Sequence, residues 1–172
     1  MMRHIFLVGF MGSGKSTIGK ELSVLLTMPF LDTDQMIEKE AGLSVSQIFE
    51  QHGEHFFRDL EKGILLRLVN EKGPSIIATG GGMYISGENR KIIENSGTSF
   101  YIKRSFRQIF KSIRMDTRRP LASKKAKKEI YFLFKQRQKL YRMAQFVINN
   151  SHNPSRAARN IHNCIHILES GG

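Results

Sequence analysis

The stretch His4–Thr17, HIFLVGFMGSGKST, decides the fold. HIFLV is a short apolar run of the kind that forms a buried strand. It leads into a turn that sets Gly9, Gly14, Lys15 and Ser16 in the order G-x-x-x-x-G-K-[ST]. A helical pattern follows, from Lys15 to about Leu26. The spacing has a chemical reason. Glycines let the backbone curl so that its N–H groups point inward at phosphate oxygens. The helix that starts near Lys15 adds the positive end of its dipole. Lys15 can reach the β- and γ-phosphates, and the Ser16 hydroxyl can meet Mg²⁺. The expected phosphate contacts are Gly12, Ser13, Gly14, Lys15, Ser16 and Thr17. A glycine-rich turn without a ligand is the competing reading, and the strand before and helix after argue against it. The motif alone distinguishes neither ATP from GTP nor one phosphate acceptor from another.

Outward from this loop, short β-rich runs alternate with helical patterns, which predicts a parallel α/β sheet. The strands are expected at His4–Val8, Pro29–Leu31, Ser75–Ala78, Ser99–Ile102 and Phe146–Ile148. Helices are expected at Lys15–Leu26, Asp34–Ala41, Val45–Gln51, Glu54–Asn70, Glu88–Asn95, Phe106–Ile113, Ala126–Ala144 and Ser155–Leu168. Ser44 with Gln47 reads as a capping box. The whole chain of 172 residues reads as one three-layer P-loop α/β domain with a five-stranded parallel sheet. Its ligands are expected at the C-terminal ends of the strands.

Several segments fall at those ends. LDTD carries Asp32 and Asp34, whose side chains face the same way on an extended segment. One carboxylate suits a Mg²⁺-bound water and the other an acceptor hydroxyl; Asp34 is equally suited to cap the next helix. In GEHFFRDLE, Arg58 and Glu61 share one helix face. Glu61 could fix the guanidinium for a substrate carboxylate, although on this pair alone a surface ion pair is the favoured reading. TGGG at Thr79, Gly80, Gly81 and Gly82 fits a ligand touching main chain, or a loose turn. Arg137 sits inside the apolar stripe Ile130, Leu133, Phe134, Leu140, Tyr141 and Ala144. A cation there calls for an anionic partner or a route along the stripe to solvent, and the two readings weigh equally.

The net charge of +12 is unevenly placed, with 15 Lys and Arg against 2 Asp and Glu between Lys103 and Arg142. Such a segment could bind nucleic acid, attract a polyanionic small ligand, or form a solvated face. Within it, RMDTRRPLASKK crowds Arg114, Arg118 and Arg119 around Pro120, a composition suited to a loop that closes over phosphates. The lysine run Lys124–Lys128 reads as solvated helix surface. Cys164 is the single cysteine, and no apolar run approaches the roughly 20 residues of a membrane span. Met1-Met2-Arg3-His4 lacks the small-residue cleavage site of a signal peptide. A cytoplasmic protein without a membrane partner is expected.

Taken together, GFMGSGKST, LDTD, GEHFFRDLE, TGGG, RRPL and FKQRQKLY resemble the shikimate kinase family in order and across nearly the whole chain. That resemblance implies ATP and Mg²⁺ as cofactors, shikimate as the small-molecule substrate, and phosphate transfer feeding chorismate and aromatic amino-acid synthesis. Asp34 would hold a shikimate hydroxyl and act as general base. Arg58 and Arg137 would clamp the shikimate carboxylate, with Gly80, Gly81 and Gly82 contacting substrate through the backbone. Asp32 would assist Mg²⁺ beside Ser16. Arg119 would contact the phosphates and act in catalysis with Lys15 and Asp34. His152 and Pro154 fall in an adenine-contacting turn. An acceptor region near 33–62 and a lid near 112–125 would complete the domain. The chain departs from the family pattern at Ser112 and His152, where Arg is common, and at Ala122, where Leu is frequent. Arg114 lies close enough in sequence to Ser112 to substitute for it. These changes bear on the nucleotide base and the lid. No nucleic-acid partner is expected, and a monomer is. A gluconate kinase would share the P-loop without needing Arg58 and Arg137 together. A nucleic-acid module or an ATP-binding regulator would leave Asp34 and TGGG unexplained.

Overall fold

A computed structural model describes residues 3–116, 126–151 and 153–170. Five parallel strands form one sheet in the order β2-β3-β1-β4-β5. They are β1 (His4–Val8), β2 (Phe30–Asp32), β3 (Ile76–Ala78), β4 (Gly97–Lys103) and β5 (Phe146–Asn149). The central strand β1 pairs with β3 on one side and with β4 on the other. The loops leaving β1 and its neighbours therefore open on one edge, where the order reverses.

Strand β1 shows why both faces of the sheet must be covered. Ile5 and Leu7 join one buried cluster, while Phe6 and Val8 join another. The first cluster is closed by Ile18 and Leu22 of α1 (Lys15–Leu26) and by Ala158 and Ile161 of α7 (Pro154–Ser170). The second takes Ile37 of α2 (Thr33–Ala41), Ile64 and Leu65 of α3 (Val45–Asn70), and Ile93 of α4 (Gly87–Ser96). It also takes Ile109 and Ile113 of α5 (Phe106–Met115) and Phe134 of α6 (Lys127–Tyr141). The result is helix, sheet, helix, as the alternating sequence pattern requires.

Several boundaries differ from the sequence reading, each for a local reason. Asp32, not Asp34, caps α2: its Oδ1 accepts from the N–H of Asp34 at 3.1 Å and of Gln35 at 3.4 Å. Helix α5 runs two residues further than expected, so the first residues of the expected lid, 112–115, are helical. Helix α6 stops at Tyr141 rather than Ala144, because Met143 and Ala144 turn back onto the carbonyls of Leu140 and Tyr141 in a tighter last turn. The expected capping box is present, with Ser44 Oγ accepting from Gln47 N–H and Gln47 Oε1 accepting from Ser44 N–H.

Helix α3 carries one sharp break. Gly53 has φ 79° and ψ 177° inside an otherwise helical run. The break separates the two helices expected on either side of it, and Arg58 lies in the second half. That backbone region is open essentially to glycine alone. A Cβ at Gly53 would meet no atom within 4 Å, so any penalty for a side chain there is conformational. Gly63, in the same helix, is exposed and also has open space, but its backbone is helical. Gly53→Ala is therefore expected to lower unfolding free energy by about 1–3 kcal/mol, and Gly63→Ala to raise it by about 0.4–1 kcal/mol. Urea denaturation of the two variants checks this opposite pair of signs.

Candidate active site

The loop between β1 and α1 is wound by three glycines at positive φ: Gly9 at 146°, Gly12 at 75° and Gly14 at 95°. Its curl turns the Lys15 ammonium back onto its own loop, donating to the Gly9 carbonyl at 2.9 Å and the Phe10 carbonyl at 3.0 Å. Lys15 is buried, so its charge is concentrated at the loop rather than shed into water. From below, Asn150 donates to the Ser13 carbonyl at 2.8 Å. A Cβ at Gly14 would come within 2.5 Å of that Asn150 amide, which explains the need for glycine there.

An open cavity of about 600 Å³ lies over this loop. Gly12, Gly14, Lys15, Ser16 and Thr17 line it, together with Asp32 and Asp34. Ser13 sits behind the wall, fully buried. Ser16 Oγ donates to Asp32 Oδ2 at 2.6 Å, so the hydroxyl and carboxylate expected at a cation meet directly.

A second cavity of about 350 Å³ adjoins the first. Met11, Asp34 and Val45 line both, so the Asp34 carboxylate stands where the two spaces meet. The second cavity is walled by Arg58, Glu61, Gly81, Gly82 and Arg137, with Phe49, Phe57 and Leu133 as apolar surface. Arg58 and Arg137, 79 positions apart in the chain, are thus brought to one small space. Arg137 of the α6 stripe lines this cavity.

Arg58 is not the exposed ion pair that its sequence favoured. Its Nη1 donates to Glu61 Oε2 at 2.5 Å, and Glu61 is fully buried. Its Nη2 and Nε both donate to Glu54 Oε1, at 2.8 and 3.2 Å. Two carboxylates on one helix face therefore hold the fork. Glu54 was missed in the sequence, although its i,i+4 spacing to Arg58 carried the signal.

Burial is the largest influence on Glu61 and raises its pKa to about 7; Asp34 nearby also raises it, while Arg58 and Arg137 pull it down. Glu61 Oε1 finds no hydrogen-bond partner among the described residues. The two carboxylates converge on the glycine run. A Cβ at Gly80 would lie 2.5 Å from Asp34 Oδ1 and 2.7 Å from Glu61 Oε1. A Cβ at Gly82 would overlap the Arg58 guanidinium. Gly80 N–H is taken by Thr33 Oγ1 at 2.8 Å, and the Gly81 carbonyl accepts from the Tyr141 hydroxyl. TGGG is thus a tightly packed floor and not a loose turn. Gly81 and Gly82 line the second cavity, and Gly80 supports it from behind.

Pro154 opens α7. Arg119 and His152 lie outside the described residues, as does residues 117–125 of the expected lid. The sequence reading also missed Arg104, Asn150 and Thr33. Each acts on main chain far away in sequence, so no local pattern announces it.

A phosphate loop, a cation-ready hydroxyl–carboxylate pair and a second, largely apolar cavity walled by two arginines and joined at one acid define a P-loop kinase of small molecules. Comparison with known proteins narrows this. The shikimate kinase family model matches residues 11–166. The chain is 43% identical over 148 residues to the shikimate kinase of Persephonella marina, covering 86% of this chain and 89% of that one. The crystal structure of shikimate kinase from Aquifex aeolicus superposes with TM-score 0.83 at 35% identity, covering 98% and 99% of the two chains. That of Acinetobacter baumannii shikimate kinase in complex with shikimate gives TM-score 0.87 at 33% identity, covering 99% of this chain and 94% of that chain. The chain belongs to the shikimate kinase family.

The Glu61 carboxyl fixes the sign of a pH effect. Its folded pKa lies above its ordinary 4.5, so between those values the folded state holds a proton that the unfolded state releases. Stability is then fully retained below about 4.5 and lost as pH rises toward 7. From pH 5 to 8, wild-type unfolding free energy is expected to fall relative to Glu61→Gln by on the order of 2–3 kcal/mol. Denaturant melts of both proteins across that range measure the difference.

Proposed function

We propose that this protein transfers the γ-phosphate of ATP to the 3-hydroxyl of shikimate, giving shikimate 3-phosphate and ADP. The observation that carries the reading is the meeting of two cavities at Asp34, one over the phosphate loop and one walled by two arginines. A ring carboxylate would lie between Arg58 and Arg137, whose guanidinium groups suit carboxylate oxygens. The cyclohexene ring would rest on Phe57 and the glycine floor, with its hydroxyl at Asp34. The acceptor oxygen forms the new bond to the γ-phosphorus, the bond to the bridging β,γ-oxygen breaks, and the hydroxyl proton passes to Asp34.

The residues present fit a Mg²⁺ ion. Ser16 and Asp32 offer one hydroxyl and one carboxylate, 2.6 Å apart. No group of three or more His, Cys, Asp or Glu gathers among the described residues. Mg²⁺ with nucleotide phosphates needs no such cage, because it keeps water and phosphate ligands. When bound, it would neutralise charge on the transferring phosphoryl group. Lys15 supplies positive charge from the loop, and Arg119 is assigned to the same task from its place in the RRPL motif. An acceptor region at 33–62, with a lid beyond α5, would keep water from competing as acceptor. A monomeric cytoplasmic enzyme of aromatic amino-acid synthesis completes the proposal. Among the described residues, no helix is long and apolar enough to cross a membrane.

The test is a coupled ADP-release assay with ATP and Mg²⁺, comparing shikimate, gluconate and no acceptor. Release that depends on shikimate supports the proposal; release with gluconate alone overturns the acceptor assignment. In the same assay, Arg58→Ala is expected to raise the KM for shikimate about 10–100-fold, the worth of a hydrogen bond to a charged group. The KM for ATP should stay within about twofold. Equal losses for both substrates would contradict the assigned role of Arg58.

A further inference from the structure

Arg104 follows β4 directly and reaches back toward the phosphate loop. Its Nη1 donates to the Gly12 carbonyl at 2.9 Å and to Ser112 Oγ at 2.9 Å. Gly12 is pressed against α5: a Cβ there would lie 3.1 Å from the Ile109 carbonyl and 3.2 Å from Ser112 Cβ. Arg104 therefore braces the loop and α5 at the point where they touch. Its side chain also lines the cavity of about 600 Å³ that holds Lys15 and Ser16.

Bracing alone leaves the charge unexplained. Arg104 takes part in none of the ion pairs among the described residues. Its Nε is buried and has no hydrogen-bond acceptor among them. Burial moves its pKa below the ordinary arginine value, with no neighbouring carboxylate to offset that. A guanidinium stays charged in a protein, and a half-buried cation without a counter-ion is unfavourable. An asparagine or glutamine could brace one carbonyl without that burden. The chemistry around the cavity, loop N–H groups and the Lys15 ammonium, selects phosphate as the missing anion.

We propose that Arg104 is a nucleotide-binding residue whose guanidinium, held on Gly12 and Ser112, takes the polyphosphate of ATP or ADP as its counter-ion. The proposal rests on the reading of the P-loop cavity as the nucleotide site. It adds a cation from the end of β4, on the same side as Ser112. The planar fork suits this double task, since Nη1 can hold the loop while Nη2 takes a phosphate oxygen.

Calorimetric titration of ADP into the full-length protein, without shikimate, tests it. Arg104→Ala is expected to weaken ADP binding about tenfold or more, and Arg104→Lys to recover over half of that loss on a logarithmic scale. Adenosine and shikimate affinities are expected to stay within about twofold. Unchanged ADP affinity in Arg104→Ala overturns the proposal. So does an equal loss for ADP and adenosine, which would mark a structural brace only. If Arg104→Ala fails to fold, Arg104→Gln keeps a donor for Gly12 without the charge, and ADP affinity equal to that of Arg104→Lys overturns the proposal. Failure of wild type to phosphorylate shikimate would sink the acceptor assignment while leaving this titration readable.

Discussion

The Asp32 carboxylate holds the two halves of the site in register. One oxygen accepts the Ser16 hydroxyl from the first turn of α1, and the other caps α2 through the N–H groups of Asp34 and Gln35. The phosphate loop and the Asp34 side chain are therefore tied to a single group at the end of β2. Negative charge at the start of α2 also suits the helix dipole. Phosphoryl transfer is mainly a matter of holding donor and acceptor in line. A constraint that fixes the acid relative to the phosphate loop acts on that requirement directly.

The second cavity rests on a different balance. Glu61 is fully buried and shares its space with Arg58, Asp34 and Arg137. The same burial that raises the carboxyl's pKa to about 7 strengthens every charge interaction around it. Arg58 is held from two sides, by Glu61 and Glu54, so its side chain keeps little conformational freedom. The glycine run completes the arrangement by omission. A side chain at Gly80 would collide with two carboxylates, and one at Gly82 with the guanidinium. Gly80 and Gly82 thus fit the charges more closely than any ligand argument from sequence could state.

Much of this was legible beforehand because it is periodic or punctuated. The strand before the P-loop, the helix after it and the capping box at Ser44 each follow from patterns a few residues long. The pairing of Arg58 with Glu61 was visible as spacing, but its burial was not: a surface pair and a buried one have the same sequence. The cap of α2 was misplaced because Asp32 and Asp34 are chemically identical, and only the turn geometry chooses between them. Arg104, Asn150 and Thr33 were illegible for a further reason. Each holds the backbone of a loop brought near by sheet order, and that order is a property of the whole chain. Family resemblance joined Arg58 to Arg137, which no local pattern links, and the fold sets both on one cavity.

In the proposed reaction an acceptor hydroxyl, and not water, receives the phosphoryl group at Asp34. Phosphorus-31 NMR of the protein with ATP, Mg²⁺ and shikimate reads this directly. A new phosphomonoester resonance growing in equal amount with ADP is the predicted result. ADP accompanied by inorganic phosphate alone would show that water is the acceptor and would contradict the joined-cavity account.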